Sequence, residues 1–127
     1  YASIDSEAVT MTGASFRVAP RGAMTLAMVL NELATNASKH GALAHQGTLH
    51  VEWSIDSKEA AAFVLQWREV YEGEKPESFG GGFGVQVLKA AITHELNGRV
   101  AMEMTQAGLV YTASIPLAEV AISGSVK

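Results

Sequence analysis

Asn31-Glu32-Leu33-Ala34-Thr35-Asn36-Ala37-Ser38-Lys39-His40-Gly41-Ala42-Leu43 is the stretch on which the reading of this chain turns. With the residues before it, apolar side chains fall at Leu26, Val29, Leu30, Leu33, Ala34 and Ala37. That i, i+3, i+4, i+7 spacing predicts an amphipathic helix beginning after Pro20 to Gly22 and stopping near Gly41. At about 100° per residue, Glu32, Asn36 and Lys39 share one narrow sector, displaced roughly 100° or more from the centre of the apolar face. They therefore border core and solvent, where an acid, an amide oxygen and a cation at successive turns can meet a ligand lying on the helix. A carboxamide or carboxylate oxygen suits Mg²⁺, which keeps several waters and takes few protein ligands beside substrate phosphates. The same spacing also describes a solvated helix face, and spacing alone leaves both readings open.

Downstream, Thr48 to Ile55 alternates strictly, with Leu49, Val51, Trp53 and Ile55 on one face and His50, Glu52 and Ser54 on the other, which predicts a half-buried strand. Asp56 to Glu59 supplies a turn, and Ala62 to Glu69 returns as a second strand carrying Phe63, Leu65 and Trp67 on one face. Val70 to Gly82 is polar and glycine-rich with Pro76, and is expected to be a surface loop. Val85, Leu88, Ala91, Ile92 and Leu96 mark a second helix closed by Asn97-Gly98. Arg99 to Met104 and Leu109 to Leu117 make a last hairpin across Thr105 to Gly108. Upstream, Val9 to Val18 reads as a strand pair or a bulged strand. The order β, α, β, β, α, β, β predicts an α+β two-layer sandwich, its sheet mixed and mostly antiparallel with helices on one face. Residues 1–117 are expected to form the domain and 118–127 a frayed tail or linker.

Two more features can carry chemistry. Gly80-Gly81-Gly82-Phe83-Gly84 stands immediately before a helix; glycines let backbone approach a ligand closely, and the free N–H groups of a helix start favour a phosphate oxygen. A plain hinge has the same composition, and no Gly-Lys-Ser or Gly-Lys-Thr follows to make a Walker loop. Trp67-Arg68-Glu69 ends a strand, where Glu69 can accept a hydrogen bond from an exocyclic amine or simply be solvated.

Composition closes off other classes. The 127 residues are 48% apolar with formal charge −4, enough for one core and without a basic footprint for nucleic acid or an anionic membrane surface. Cysteine is absent, which removes disulfides and thiol chemistry and agrees with a reducing compartment. No apolar run approaches the roughly 20 residues of a membrane span, and the Tyr-Ala-Ser start without Met suggests a piece of a longer chain.

Taken together the motifs resemble one family. Asn31 to Leu43 is similar to the N box of histidine kinases of the HWE and HisKA_2 group, within the GHKL ATPase superfamily. Trp67-Arg68-Glu69 resembles their tryptophan-x-glutamate motif, Gly82-Phe83-Gly84-Val85 the start of their second glycine box, and Gly108-Leu109 with the strand ending at Pro116 their terminal hairpin. The resemblance implies the Bergerat sandwich, ATP and Mg²⁺ as cofactors, and histidine kinase activity in two-component signalling. It implies that Asn36 holds Mg²⁺, that Glu32 orients or deprotonates the incoming phosphoacceptor imidazole, and that Lys39 and His40 contact phosphates. It places Glu69 where ordinary histidine kinases carry the adenine-reading aspartate, backbone amides around Gly82, Phe83 and Gly84 against the triphosphate, and a short ATP lid over Val70 to Gly81. The implied partners are the dimerisation and phosphoacceptor domain of the same kinase and a response regulator in the cytoplasm, with no nucleic acid, no direct membrane contact and a monomeric isolated domain. None of His40, His45, His50 or His94 stands in a phosphoacceptor context. Asn31 stands where HWE kinases typically have histidine, and Tyr71, Glu72 and Gly73 replace a common glycine pair and proline. A degenerate Bergerat domain that no longer binds ATP is the alternative, and a GHKL protein-serine kinase or a plain interaction module the more distant ones.

Overall fold

Helix α1, Pro20–Lys39, starts with proline at its first position, where the missing N–H is no loss. It ends where the amides of His40 and Gly41 both donate to the Asn36 carbonyl, each at 2.8 Å. The computed structural model describes residues 2–5, 8–15, 17–57, 61–73 and 83–121. Within α1 the buried line is Leu26, Val29, Leu33 and Ala37. Ala34, expected on that line, is exposed, and Leu30 is half-buried.

Strands β1 (Ala2–Asp5), β2 (Val9–Gly13), β3 (Thr48–Asp56), β4 (Ala62–Val70), β5 (Arg99–Met104) and β6 (Leu109–Pro116) form one sheet in the order β1-β2-β3-β4-β6-β5. The pair β2 and β3 is parallel, because α1 carries the chain across between them; the other neighbours are antiparallel. The two-layer α+β sandwich expected from the sequence is therefore the fold. Upstream the expectation needs correction: only Val9–Gly13 is strand, its antiparallel partner is Ala2–Asp5, and the chain leaves the sheet after Gly13. Val18 instead bridges to Ala121.

Helix α2, Phe83–Ala90, runs into a π turn, Ala91–Glu95. Four residues of α-helix advance about 400°, so a line at Leu88, Ile92 and Leu96 drifts off the core. The wider i to i+5 turn rotates less per residue and takes the drift back, leaving all three buried. Asn97, at φ 53°, then ends the helix in the left-handed region. One sheet face packs on these helices through Leu49, Val51, Phe63, Leu65, Trp67 and Tyr111. The opposite face carries polar groups, among them Arg68, 2.9 Å from Glu52.

The boundary expected at 117 falls inside packed structure. Helix α3, Leu117–Val120, buries Val120 completely, and Ala19 donates to the Val120 carbonyl at 2.7 Å. The remainder of the expected tail, 122–127, lies outside the described residues, as does the centre of the turn before β4.

Tyr111 is fully buried on β6 and donates its hydroxyl to the Leu88 carbonyl at 2.7 Å, tying sheet to α2. Burial pushes its phenol far above the ordinary value of 10. A folded-state pKa raised above the unfolded one gives stability that is complete below the unfolded value and lost as pH rises toward the folded one. Tyr111→Phe should cost about 0.5–1.5 kcal/mol at neutral pH, by deleting the hydrogen bond to the Leu88 carbonyl, and should lack this tyrosine's share of the alkaline loss. Urea unfolding of both proteins near neutral pH and above pH ~10 checks both parts.

Candidate functional site

Leu33 and Ala37 are fully buried, while Glu32 and Asn36 beside them are half-buried and Lys39 and His40 exposed. The row thus lies on the flank of α1, bordering the core as its spacing implies. Among the described residues no side-chain hydrogen bond or ion pair engages Glu32, Asn36 or Lys39. Lys39, in the last turn, also complements the negative end of the helix dipole.

Glu69 is 3% exposed, which is rare for a carboxylate unless both oxygens are satisfied. They are. Trp67, two residues earlier and on the same strand face, donates its indole N–H to Oε2 at 2.9 Å. The backbone N–H of Ala42, just past the end of α1, donates to Oε1 at 3.0 Å. Gly41 makes this approach possible, since a Cβ there would come within 2.3 Å of Oε1 and 2.8 Å of the Ala37 Cα. The N-box helix and the strand-end acid, far apart in sequence, are joined at this point.

The wall beyond Glu69 is aromatic. Tyr71 lies 5.9 Å from His45 between ring centroids, and its amide donates to the Ala107 carbonyl at 2.9 Å. Its phenol is pushed up, first by burial and then by the charge of Glu69. His45 sits on a short 3₁₀ turn, Ala42–His45, with Nδ1 2.9 Å from the Gly41 carbonyl; a carbonyl only accepts, so Nδ1 carries the proton. Gly108, in the β5–β6 hairpin, abuts the Glu69 backbone carbonyl from the other side.

Gly82 and residues 74–81 of the expected lid lie outside the described residues. Phe83 and Gly84 open α2, which packs beside α1. The sequence singles out Glu69 as a candidate but does not reveal Trp67, Gly41, Ala42, Tyr71 and Gly108 as its surroundings. The i, i+2 spacing of Trp67 and Glu69 on one strand was the available signal for the first.

The donor set fits Mg²⁺ with a phosphate-bearing ligand: an available carboxamide oxygen on Asn36, a carboxylate one turn away and a cation one turn on. Among the described residues no three His, Cys, Asp or Glu side chains converge as a protein-only cage. A separate cavity of about 370 Å³ opens between the sheet and the first half of α1, lined by Met11, Val18, Leu30, Trp53 and Phe63 among others. Its described walls carry no titratable group, so it is not the candidate site.

The fold is the one seen in solved histidine kinase domains. It superposes on the histidine kinase domain of a blue-light-activated histidine kinase from Erythrobacter litoralis with a TM-score of 0.67 at 17% identity, covering 88% of this chain and 52% of that one. The Acinetobacter baumannii histidine kinase AdeS gives 0.57 at 19% identity, over 86% and 53%. In sequence the chain is 38% identical over 94 residues to a blue-light-activated histidine kinase of Rhizobium johnstonii, covering 73% of this chain and 27% of the relative. A blue-light-activated histidine kinase of Brucella ovis is 30% identical over 111 residues, covering 86% and 23%. No protein-family profile matches. The chain is related in sequence to the histidine kinases and spans about a quarter of the length of these relatives. Among the described residues no helix is long and apolar enough to cross a membrane.

Proposed function

We propose that this domain, of the HWE/HisKA_2 type and cytoplasmic, binds Mg²⁺ and ATP and serves transfer of the γ-phosphoryl group to a histidine on a separate dimerisation domain, from which it passes to a response regulator. The observation that carries the reading is the joining of the N-box helix to the strand-end acid through Glu69 and Ala42, on the helix whose Asn36 and Glu32 side chains are engaged by no hydrogen bond or ion pair among the described residues. In this reading Asn36 holds the metal and Lys39 and His40 offset phosphate charge. Glu69 accepts from the adenine amine, and Glu32 orients or deprotonates the phosphoacceptor imidazole. The amides of Phe83 and Gly84 at the start of α2, with that of Gly82 before them in sequence, meet the triphosphate. Phosphoryl transfer asks for in-line positioning and charge neutralisation more than for covalent chemistry from the protein. A metal held by Asn36 would supply part of that charge neutralisation.

The degenerate alternative gains weight from one feature: both Glu69 oxygens already hold internal partners, and Tyr71 stands close by. Titration calorimetry with ATP, with and without Mg²⁺, decides between them. Saturable Mg²⁺-dependent binding supports the kinase reading, and no heat at millimolar nucleotide supports the degenerate one. At a hundred times Kd, ligand linkage adds about 2.7 kcal/mol, a rise of roughly 8–15 °C in Tm for a domain of this size. Asn36→Ala should remove the Mg²⁺-dependent part of that rise and leave the ligand-free Tm nearly unchanged, because its side chain makes no described hydrogen bond. Undiminished metal dependence in this variant would take Asn36 out of its role.

A further inference from the structure

We infer that Trp67 is a positioning residue for base recognition: its indole N–H and the Ala42 amide together hold the Glu69 carboxylate in one orientation toward a nucleobase. The inference rests on the nucleotide reading above and adds to it a specificity-setting residue.

A strand presents i and i+2 on the same face, so Trp67 and Glu69 stand side by side on the core face of β4, each 3% exposed. One N–H reaches each carboxylate oxygen, from Trp67 at 2.9 Å and from Ala42 at 3.0 Å. Two donors on two oxygens fix both the direction of the side chain and the rotation of the carboxylate plane. A free glutamate would surrender several rotamers on binding a base; this one has surrendered them in the folded protein. Two such donors leave one acceptor site on each oxygen, and an ionised carboxylate offers no donor of its own. A purine with an exocyclic amine facing it gains a charge-assisted hydrogen bond, whereas a purine with a carbonyl there meets oxygen against oxygen. Gly41 fixes the distance from the other side, since any Cβ would collide with Oε1. Trp67 thus acts through Glu69 and need not touch the nucleotide.

Trp67→Phe keeps an aromatic ring in the core and deletes the N–H. In calorimetric titrations with Mg²⁺ present, the variant should bind ATP about tenfold more weakly, keep its affinity for inorganic tripolyphosphate within about twofold, and lose most of its preference for ATP over GTP. A purely structural tryptophan would lower Tm and weaken all three ligands alike, and that result overturns the inference. So does an unchanged ratio of ATP to GTP affinity. Where the variant does not fold, nuclear magnetic resonance of the wild-type indole N–H groups takes its place. The Trp67 resonance should shift with Mg²⁺ and ATP but not with Mg²⁺ and tripolyphosphate. Trp53, whose indole donates to the Ala14 carbonyl at 2.7 Å, is the internal standard and should stay in place. A Trp67 resonance indifferent to ATP, in a protein that binds ATP, overturns this inference alone. A wild-type chain that binds no ATP overturns the nucleotide reading and this inference with it.

Discussion

Glu69→Ala should lower the unfolding free energy by roughly 2–5 kcal/mol, because two buried donors lose their acceptor at once and each orphaned N–H costs about 1–3 kcal/mol. The Trp67 indole and the Ala42 amide both donate to this carboxylate inside the fold, and truncation removes the acceptor of both. Glu69→Gln separates charge from geometry. Its carbonyl oxygen can serve one donor, while its NH₂ must face the other, so an intermediate loss is expected. Urea unfolding with an unchanged m value is the measurement, and a loss in Glu69→Ala below about 1 kcal/mol would show that the two bonds contribute little. The result bears on function as well. A weakened ATP affinity in Glu69→Ala has two possible origins, loss of the base contact and loosening of the end of α1, so it must be compared with tripolyphosphate affinity in the same variant. Equal losses for the two ligands would remove Glu69 from base recognition.

Much of this arrangement is written in local pattern. Pro20 and Gly41 bracket α1, the apolar spacing gives most of its buried line with Ala34 the exception, and the alternation of Phe63, Leu65 and Trp67 gives β4 its core face. The hairpin of β5 and β6 falls as expected because Leu109, Tyr111, Ala113 and Ile115 hold period two through burial on one side only. Local pattern fails where pairing decides. Strand β1 has four residues, too few to show a period, and is strand only because β2 lies beside it. Helix α3 is as short, and docks because Val120 finds the glycine face of α1 at Gly22. At the site, residue types were legible and partners were not. Glu69 stood out as an acid at a strand end, but the amide that holds it is 27 residues away. Gly41 reads as a helix stop, which it is, and also has to be small because a carboxylate lies against it. No spacing rule encodes the second requirement, since it arises only when α1 and β4 are brought together.

Gly108→Ala should be about as damaging from the opposite side of the same strand, at roughly 3 kcal/mol or more. Gly108 has φ 153°, a conformation that side-chain-bearing residues rarely adopt, and a Cβ there would lie 2.1 Å from the Glu69 carbonyl oxygen and 3.0 Å from the Tyr71 ring. The carbonyl has little freedom to step aside, because Glu69 is paired with Leu49 of β3 and the preceding residue with Val110 of β6. The hairpin must move instead, and that movement strains the bond from the Tyr71 amide to the Ala107 carbonyl and the Thr105 hydroxyl contacts that close the turn. Gly73 is the control. It follows the same strand end by a few residues, yet a Cβ there meets nothing within 4 Å, so Gly73→Ala should be neutral or stabilising by up to about 1 kcal/mol through the unfolded chain. A thermal shift of roughly 10 °C or more separates the two variants if steric contact at Gly108 is the cause. Equal stability of Gly108→Ala and Gly73→Ala would mean that the hairpin yields freely. The close packing of Gly108 against Glu69 would then have no part in holding the strand end where Glu69 meets α1.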